Sequence, residues 1–144
     1  MSTTKEQIWI HGVAVQSQNP TFTVTPIGSE ATVKPTVANS KTGFLHMAVP
    51  TLTITDNLAT KLDAVHIRVA TGTQAKITEV KVFDRMQLFA DQNITGPIQT
   101  KTLDITANPR ISFGICVSLF VQFQDVSANA VVRLIGIGES FRQS

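Results

Sequence analysis

Between Ile111 and Phe123 the apolar side chains recur at every second position. Phe113, Ile115, Val117, Leu119, Val121 and Phe123 fall on one side of the chain, and Gly114, Cys116, Ser118 and Gln122 on the other. Extended backbone turns successive side chains to opposite faces, so the segment reads as a long strand with one buried face. The other apolar runs repeat the same way, and none keeps the period of a helix. This pattern constrains the fold strongly and the chemistry very little.

Turn signals separate the remaining runs at short intervals. Ile8 to Gln16 is followed by Ser17-Gln18-Asn19-Pro20, and Thr21 to Ile27 by Gly28-Ser29. Ala31 to Val37 carries Pro35, which removes a ladder donor and predicts an edge strand. Further strands are expected over Gly43–Val49, Thr51–Thr55, Leu62–Ala70, Lys101–Thr106 and Ala130–Phe141. Lys76–Phe83 and Met86–Phe89 flank Asp84-Arg85 as a tight hairpin. About ten antiparallel strands with no room for a crossover helix predict a single all-β domain over 1–144, a jelly-roll-like β-sandwich. Met1 to Gln7 reads as a flexible polar start.

Composition bounds the partners. Charged residues make up only 15% of the chain, against about 25% in average soluble proteins. The net charge of +2 is small and the basic residues are scattered, which argues against nucleic acid. No run approaches the ~18 apolar residues of a membrane span, and the polar start is unlike a signal peptide, so a cytoplasmic location is the expectation. The one cysteine, Cys116, excludes an intrachain disulfide and, mid-strand among apolar residues, reads as a buried, inert thiol.

Several strands are apolar on both faces. Ile8, Ile10 and Ala14 oppose Trp9, Val13 and Val15; Val132 and Leu134 oppose Val131, Ile135 and Ile137; Phe120 opposes the long apolar row. A sheet in a sandwich has one inward face, so the outward residues need another cover, and a homo-oligomer is expected.

Trp9-Ile10-His11-Gly12-Val13-Ala14-Val15 resembles the opening strand of a family of uncharacterised bacterial all-β proteins that begin with Trp-x-His-Gly. Phe44-Leu45-His46-Met47-Ala48-Val49-Pro50-Thr51 resembles that family's second marker. Similarities continue through Leu62–Gly72, Val80–Asp84, Phe113-Gly114-Ile115 and Gly136–Phe141. The chain departs from the pattern at Asp84-Arg85, where relatives tend to have Asp-Gly, and at Phe44, where they often have a second Trp. The resemblance implies a compact all-β domain and no established activity.

Catalytic and metal constellations are sparse. None of the residues two beyond a histidine (Val13, Ala48, Arg68) is a ligand, which disfavours a bound metal or other cofactor. There is no Gly-x-Ser-x-Gly elbow, and the Asp residues fall mostly at strand ends or turns, where Asp favours the bend itself. Gly136-Ile137-Gly138 precedes no helix and reads as a close-packing or bulge site. Asn93-Ile94-Thr95 matches a glycosylation acceptor by accident, and Asp91–Gly96 reads as an ordinary polar loop ahead of a calcium site.

His11 shares a strand face with Trp9, and His46 with Phe44 and Ala48; both faces are expected to look inward or onto a cavity wall. His66, beside Arg68, is expected to face solvent or a subunit contact. The leading reading is a non-catalytic β-sandwich acting through self-association or through a ligand or partner, carbohydrate included. Lacking Tyr and holding one Trp, the chain offers few sugar-stacking platforms. The alternative is a small enzyme or carrier whose apolar pocket uses His11 and His46 to orient or protonate a ligand, with Trp9 as a wall.

Overall fold

The computed structural model describes residues 4–50, 54–55, 58–94, 99–105, 109–112 and 114–143, with the side chains of these except 4–6, 54–55, 58–59 and 143. Twelve strands are formed among them: β1 (Thr4–His11), β2 (Gln16–Ser17), β3 (Thr23–Ile27), β4 (Glu30–Lys34), β5 (Thr42–Val49), β6 (Ile54–Thr55), β7 (Leu58–Thr71), β8 (Ala75–Asp84), β9 (Gln87–Asn93), β10 (Thr100–Asp104), β11 (Ile115–Phe123) and β12 (Val132–Gln143). One sheet has seven strands in the order β10-β7-β12-β4-β3, with β1 also on β12 and β6 on β7; the other has five, β2-β5-β11-β8-β9. Every pairing is antiparallel. The two sheets close on one core as a jelly-roll-like sandwich, and no α-helix occurs among the described residues.

The period-two reading places the core correctly on β11. Ile115, Val117, Leu119, Val121 and Phe123 are buried against Leu45, Met47 and Val49 of β5 and Val80 and Val82 of β8 in one cluster. Phe113 lies outside the described residues, as do Thr51–Thr53, Thr106 and residues 95–98, which include parts of the expected glycosylation and calcium segments. Asp84 closes the β8–β9 hairpin with Arg85 in the left-handed region (φ 57°). Its buried carboxylate accepts the backbone N–H groups of Ser112 (2.7 Å) and Gly114 (3.0 Å), which aims the chain into β11.

Elsewhere simple alternation fails at identifiable places. The expected strand Ile8–Gln16 is broken by a 3-10 turn at Gly12–Ala14, and the chain changes sheet there, β1 pairing with β12 and β2 with β5. A Cβ on Gly12 would stand 1.8 Å from the Leu134 carbonyl oxygen, so only glycine permits this close crossing. Thr4–Gln7, read as part of a flexible start, extend β1 along Ser140–Gln143. Pro35 falls beyond β4, which is an interior strand; the edge is β3, and it carries Pro26.

Bulges account for the rest. The register of β12 against β7 slips between Leu134 and Gly136, with Ile135 as the extra residue, and Val132, Leu134 and Ile137 all reach the core. The Gly136-Ile137-Gly138 stretch is therefore a bulge-and-packing site, as the absence of a following helix suggests. A second slip, opposite Asp63, returns Leu62 to the core, and a third at Thr78 keeps Ile77 and Val80 both inside.

Candidate functional site

Because Leu45, Met47 and Val49 fill the core, Phe44, His46 and Ala48 point away from it. The same alternation turns Cys116, Ser118, Phe120 and Gln122 outward on β11, and Glu79, Lys81 and Phe83 outward on β8. Register aligns them into rows across the five-stranded sheet: Phe44–Phe120–Glu79, His46–Ser118–Lys81 and Ala48–Cys116–Phe83. These side chains are half-buried, apart from the exposed Ala48 and the buried Ser118.

The rings organise this face. Phe44 and Phe120 pack at 4.9 Å between centroids, Phe44 and His46 stack at 6.0 Å and 15°, and Lys81 Nζ lies 5.6 Å from the Phe44 centroid. The His46 Nδ1 is 2.6 Å from the Ser118 hydroxyl and its Nε2 is 3.1 Å from Gln18 Oε1. With the Gln18 carbonyl accepting, Nε2 carries the proton and Nδ1 accepts from Ser118. Burial pushes the imidazole below the ordinary histidine value, so it is neutral at pH 7. Lys81 is offset by Glu79 at 3.4 Å, which leaves the face close to neutral. A hollow of about 190 Å³ lined by Gln18, Phe44, His46, Lys81, Phe83 and Ser118 adjoins another of about 310 Å³ lined by His46, Phe83, Arg85, Met86, Cys116 and Ser118.

The opposite outer face belongs to the seven-stranded sheet. Ile8 and Ile10 pack against the core, so Trp9 and His11 point outward and are exposed, Trp9 by 40%. The ladders align Trp9–Gly138–His66–Thr102 and His11–Gly136–Arg68–Thr100. A Cβ on Gly138 would come within 2.6 Å of Cδ2 and Cε2 of Trp9, the two fused carbons of the indole. Such interior atoms are reached only through the ring face, so the indole lies flat on the glycine. His66 extends this surface at 5.6 Å and 21°, and Arg68 Cζ stands over the indole at 4.7 Å from the ring centroid. The His66 nitrogens are taken by Thr102 (3.1 Å) and Ser140 (2.6 Å) hydroxyls, and its pKa is lowered by burial and by Arg68 against an opposing pull from Asp104.

Trp9 and His11 thus lie outside rather than inward, while His46 leaves the core and walls the two shallow hollows. The two histidines sit on opposite outer faces of the sandwich, so no pocket joins His11 to His46. His66 faces outward beside Arg68 as expected. Cys116 is half-buried on the outer face rather than deep in the core; burial still pushes its thiol up, against the Ser118 hydrogen bond and the Met47 backbone, and keeps it protonated. Among the described residues no three His, Cys, Asp or Glu side chains group as a metal site. Sequence reasoning missed Phe120, Lys81, Ser118 and Gln18 as site residues. The signal was available in the shared parity of Phe44 and His46 and in the placement of Phe120 opposite the core row.

Fold and site together define a jelly-roll sandwich with an open aromatic and polar sheet face. Among solved structures it is similar to a low-affinity xylan-binding module, CBM86, from the gut symbiont Roseburia intestinalis, at 10% identity over 96% of this chain and 96% of that one, with a TM-score of 0.56. It is also similar to a carbohydrate-binding module of family 29, at 9% identity over 97% of this chain and 90% of that one, with a TM-score of 0.51. At such identities the likeness is one of fold. No curated protein matches the sequence. The chain belongs to a family of unknown function, DUF6623, whose model matches residues 3–143.

Proposed function

We propose that the protein is a non-catalytic binding module that holds a neutral polysaccharide chain on the outer face of its five-stranded sheet. The observation that carries this reading is the row Phe44–Phe120 beside His46, a polar group fixed at both ring nitrogens. A pyranose offers an apolar face of C–H groups and a rim of hydroxyls. The phenyl rings suit the first, while Gln18, Lys81, Glu79 and Gln122 supply donors and acceptors for the second. The adjoining hollows are shallow and sit at or below the low end of the ~300–1,000 Å³ range of small-ligand sites, which suits weak binding along a chain better than capture of one small molecule. The fold shared with two carbohydrate-binding modules agrees with this reading.

Self-association has less support. The bulge at Ile135 removes the conflict in β12, and Trp9 and Phe120 belong to organised polar-aromatic faces. The exposed Met86 and Leu88 at the hairpin tip are the remaining apolar surface near the site.

Affinity electrophoresis in gels containing xylan, glucomannan or mixed-linkage glucan tests the proposal. One or more of these neutral polymers should retard the protein, and the double variant Phe44→Ala, Phe120→Ala should migrate freely. Equal retardation of the variant, or migration unaffected by any neutral polymer, would contradict it.

A further inference from the structure

We infer that the outer face of the seven-stranded sheet is a second, separate binding site, for an acidic saccharide, in which the Trp9 indole receives the sugar ring and Arg68 its carboxylate. Trp9 is the largest aromatic surface of the chain, and it is laid flat by the absence of a side chain at Gly138. A flat indole with its other face turned outward is the surface on which a pyranose stacks.

Arg68 determines which sugar. Its guanidinium stands over the indole, and among the described residues it has no carboxylate partner. Asp104, the acidic residue that acts on His66, faces Ala64 in the ladder, two outward rows from Arg68 and its neighbour Thr100. A neutral sugar entering over the indole must displace the cation from the ring and offers it only uncharged hydroxyl acceptors in exchange. A uronic acid compensates the same displacement, because its carboxylate accepts the guanidinium fork in a bidentate pair.

The remaining neighbours fit a wall and rim. His66, tied at both nitrogens to Thr102 and Ser140, continues the ring surface without competing for the carboxylate. His11 lies in the Arg68 row across Gly136 and is exposed at the edge of this surface. The other outer face differs on this point, since its Lys81 already has Glu79.

Trp9 is the only tryptophan and the chain has no tyrosine, so intrinsic emission reports this face alone. Titration with trigalacturonic acid at pH 7 and low salt should shift or quench the emission saturably, with added salt weakening the effect. Cellotriose and xylotriose should leave it unchanged even if they bind the opposite face. Arg68→Ala should weaken the acidic trimer by at least about tenfold, and Arg68→Lys, which keeps the charge without the fork, should fall between. Far-ultraviolet circular dichroism confirms that the variants are folded. The inference is overturned by an emission unmoved through millimolar acidic trimer, by equal responses to neutral and acidic trimers, or by undiminished affinity in Arg68→Ala. Phe44→Ala with Phe120→Ala should not alter this titration, so failure here and failure of the neutral-glycan site are separate results.

Discussion

The two outer faces of the sandwich are built on the same plan and differ in charge. Each carries an aromatic ring stacked on a histidine, and each histidine is held at both nitrogens by neighbouring side chains: Phe44 and His46 with Ser118 and Gln18 on one side, Trp9 and His66 with Ser140 and Thr102 on the other. On the five-stranded face the nearby cation is balanced by Glu79; on the seven-stranded face Arg68 rests on an aromatic ring instead. Under the two proposed sites, similar ring geometry would serve neutral and acidic ligands, with the balance of one ion pair selecting between them.

The largest expected effect shows what the faces share. Leu119 is buried in the core beneath both sheets, and Leu119→Ala should cost on the order of 2–5 kcal/mol in denaturant melts. A loss below about half a kcal/mol would mean that the two faces do not rest on one core.

A change at Gly138 separates them. Gly138→Ala drives a Cβ into the indole and should cost about 1–3 kcal/mol while moving the Trp9 emission. Retardation by neutral polymers should survive, because the five-stranded sheet does not include β12. Loss of that retardation in a folded variant would show that the faces are coupled.

The smallest effect is pH dependence. Both His46 and His66 have folded-state pKa values below the ordinary ~6.5. The unfolded chain then binds more protons than the folded one in the interval below 6.5, so their contribution to stability is complete above that pH. It declines as pH falls through the folded values. Thermal midpoints should drop modestly between pH 7 and 5, and NMR titration should find both imidazoles protonating below 6.5. An imidazole titrating above that value would point to a carboxylate acting on it more strongly than burial does.

How much of this was legible in the sequence follows from the residues. Along β11 one parity is wholly apolar and the other mixes Cys116, Ser118 and Gln122 with Phe120, so the side that fills the core is legible there. Along β1 both parities are apolar, with Ile8 and Ile10 against Trp9, and alternation cannot say which faces the core. Packing decides it: the aliphatic pair fills the interior, and the large indole finds a flat seat on Gly138. In β12 the extra residue Ile135 reverses parity midway, which made a one-faced strand look two-faced. The Trp9–His66 and His46–Ser118 pairings depend on which strands become neighbours, and local periodicity carries no information on that.

The central claim is that the five-stranded face takes the neutral glycan. Backbone and side-chain amide shifts followed by NMR during titration with a neutral xylo- or cello-oligosaccharide test it most directly. The account predicts that the perturbed signals cluster at Phe44, His46, Lys81, Ser118 and Phe120, with the Trp9 indole N–H unmoved. Perturbations centred on Trp9, His66 and Arg68, or no perturbation with any neutral oligosaccharide, would contradict it.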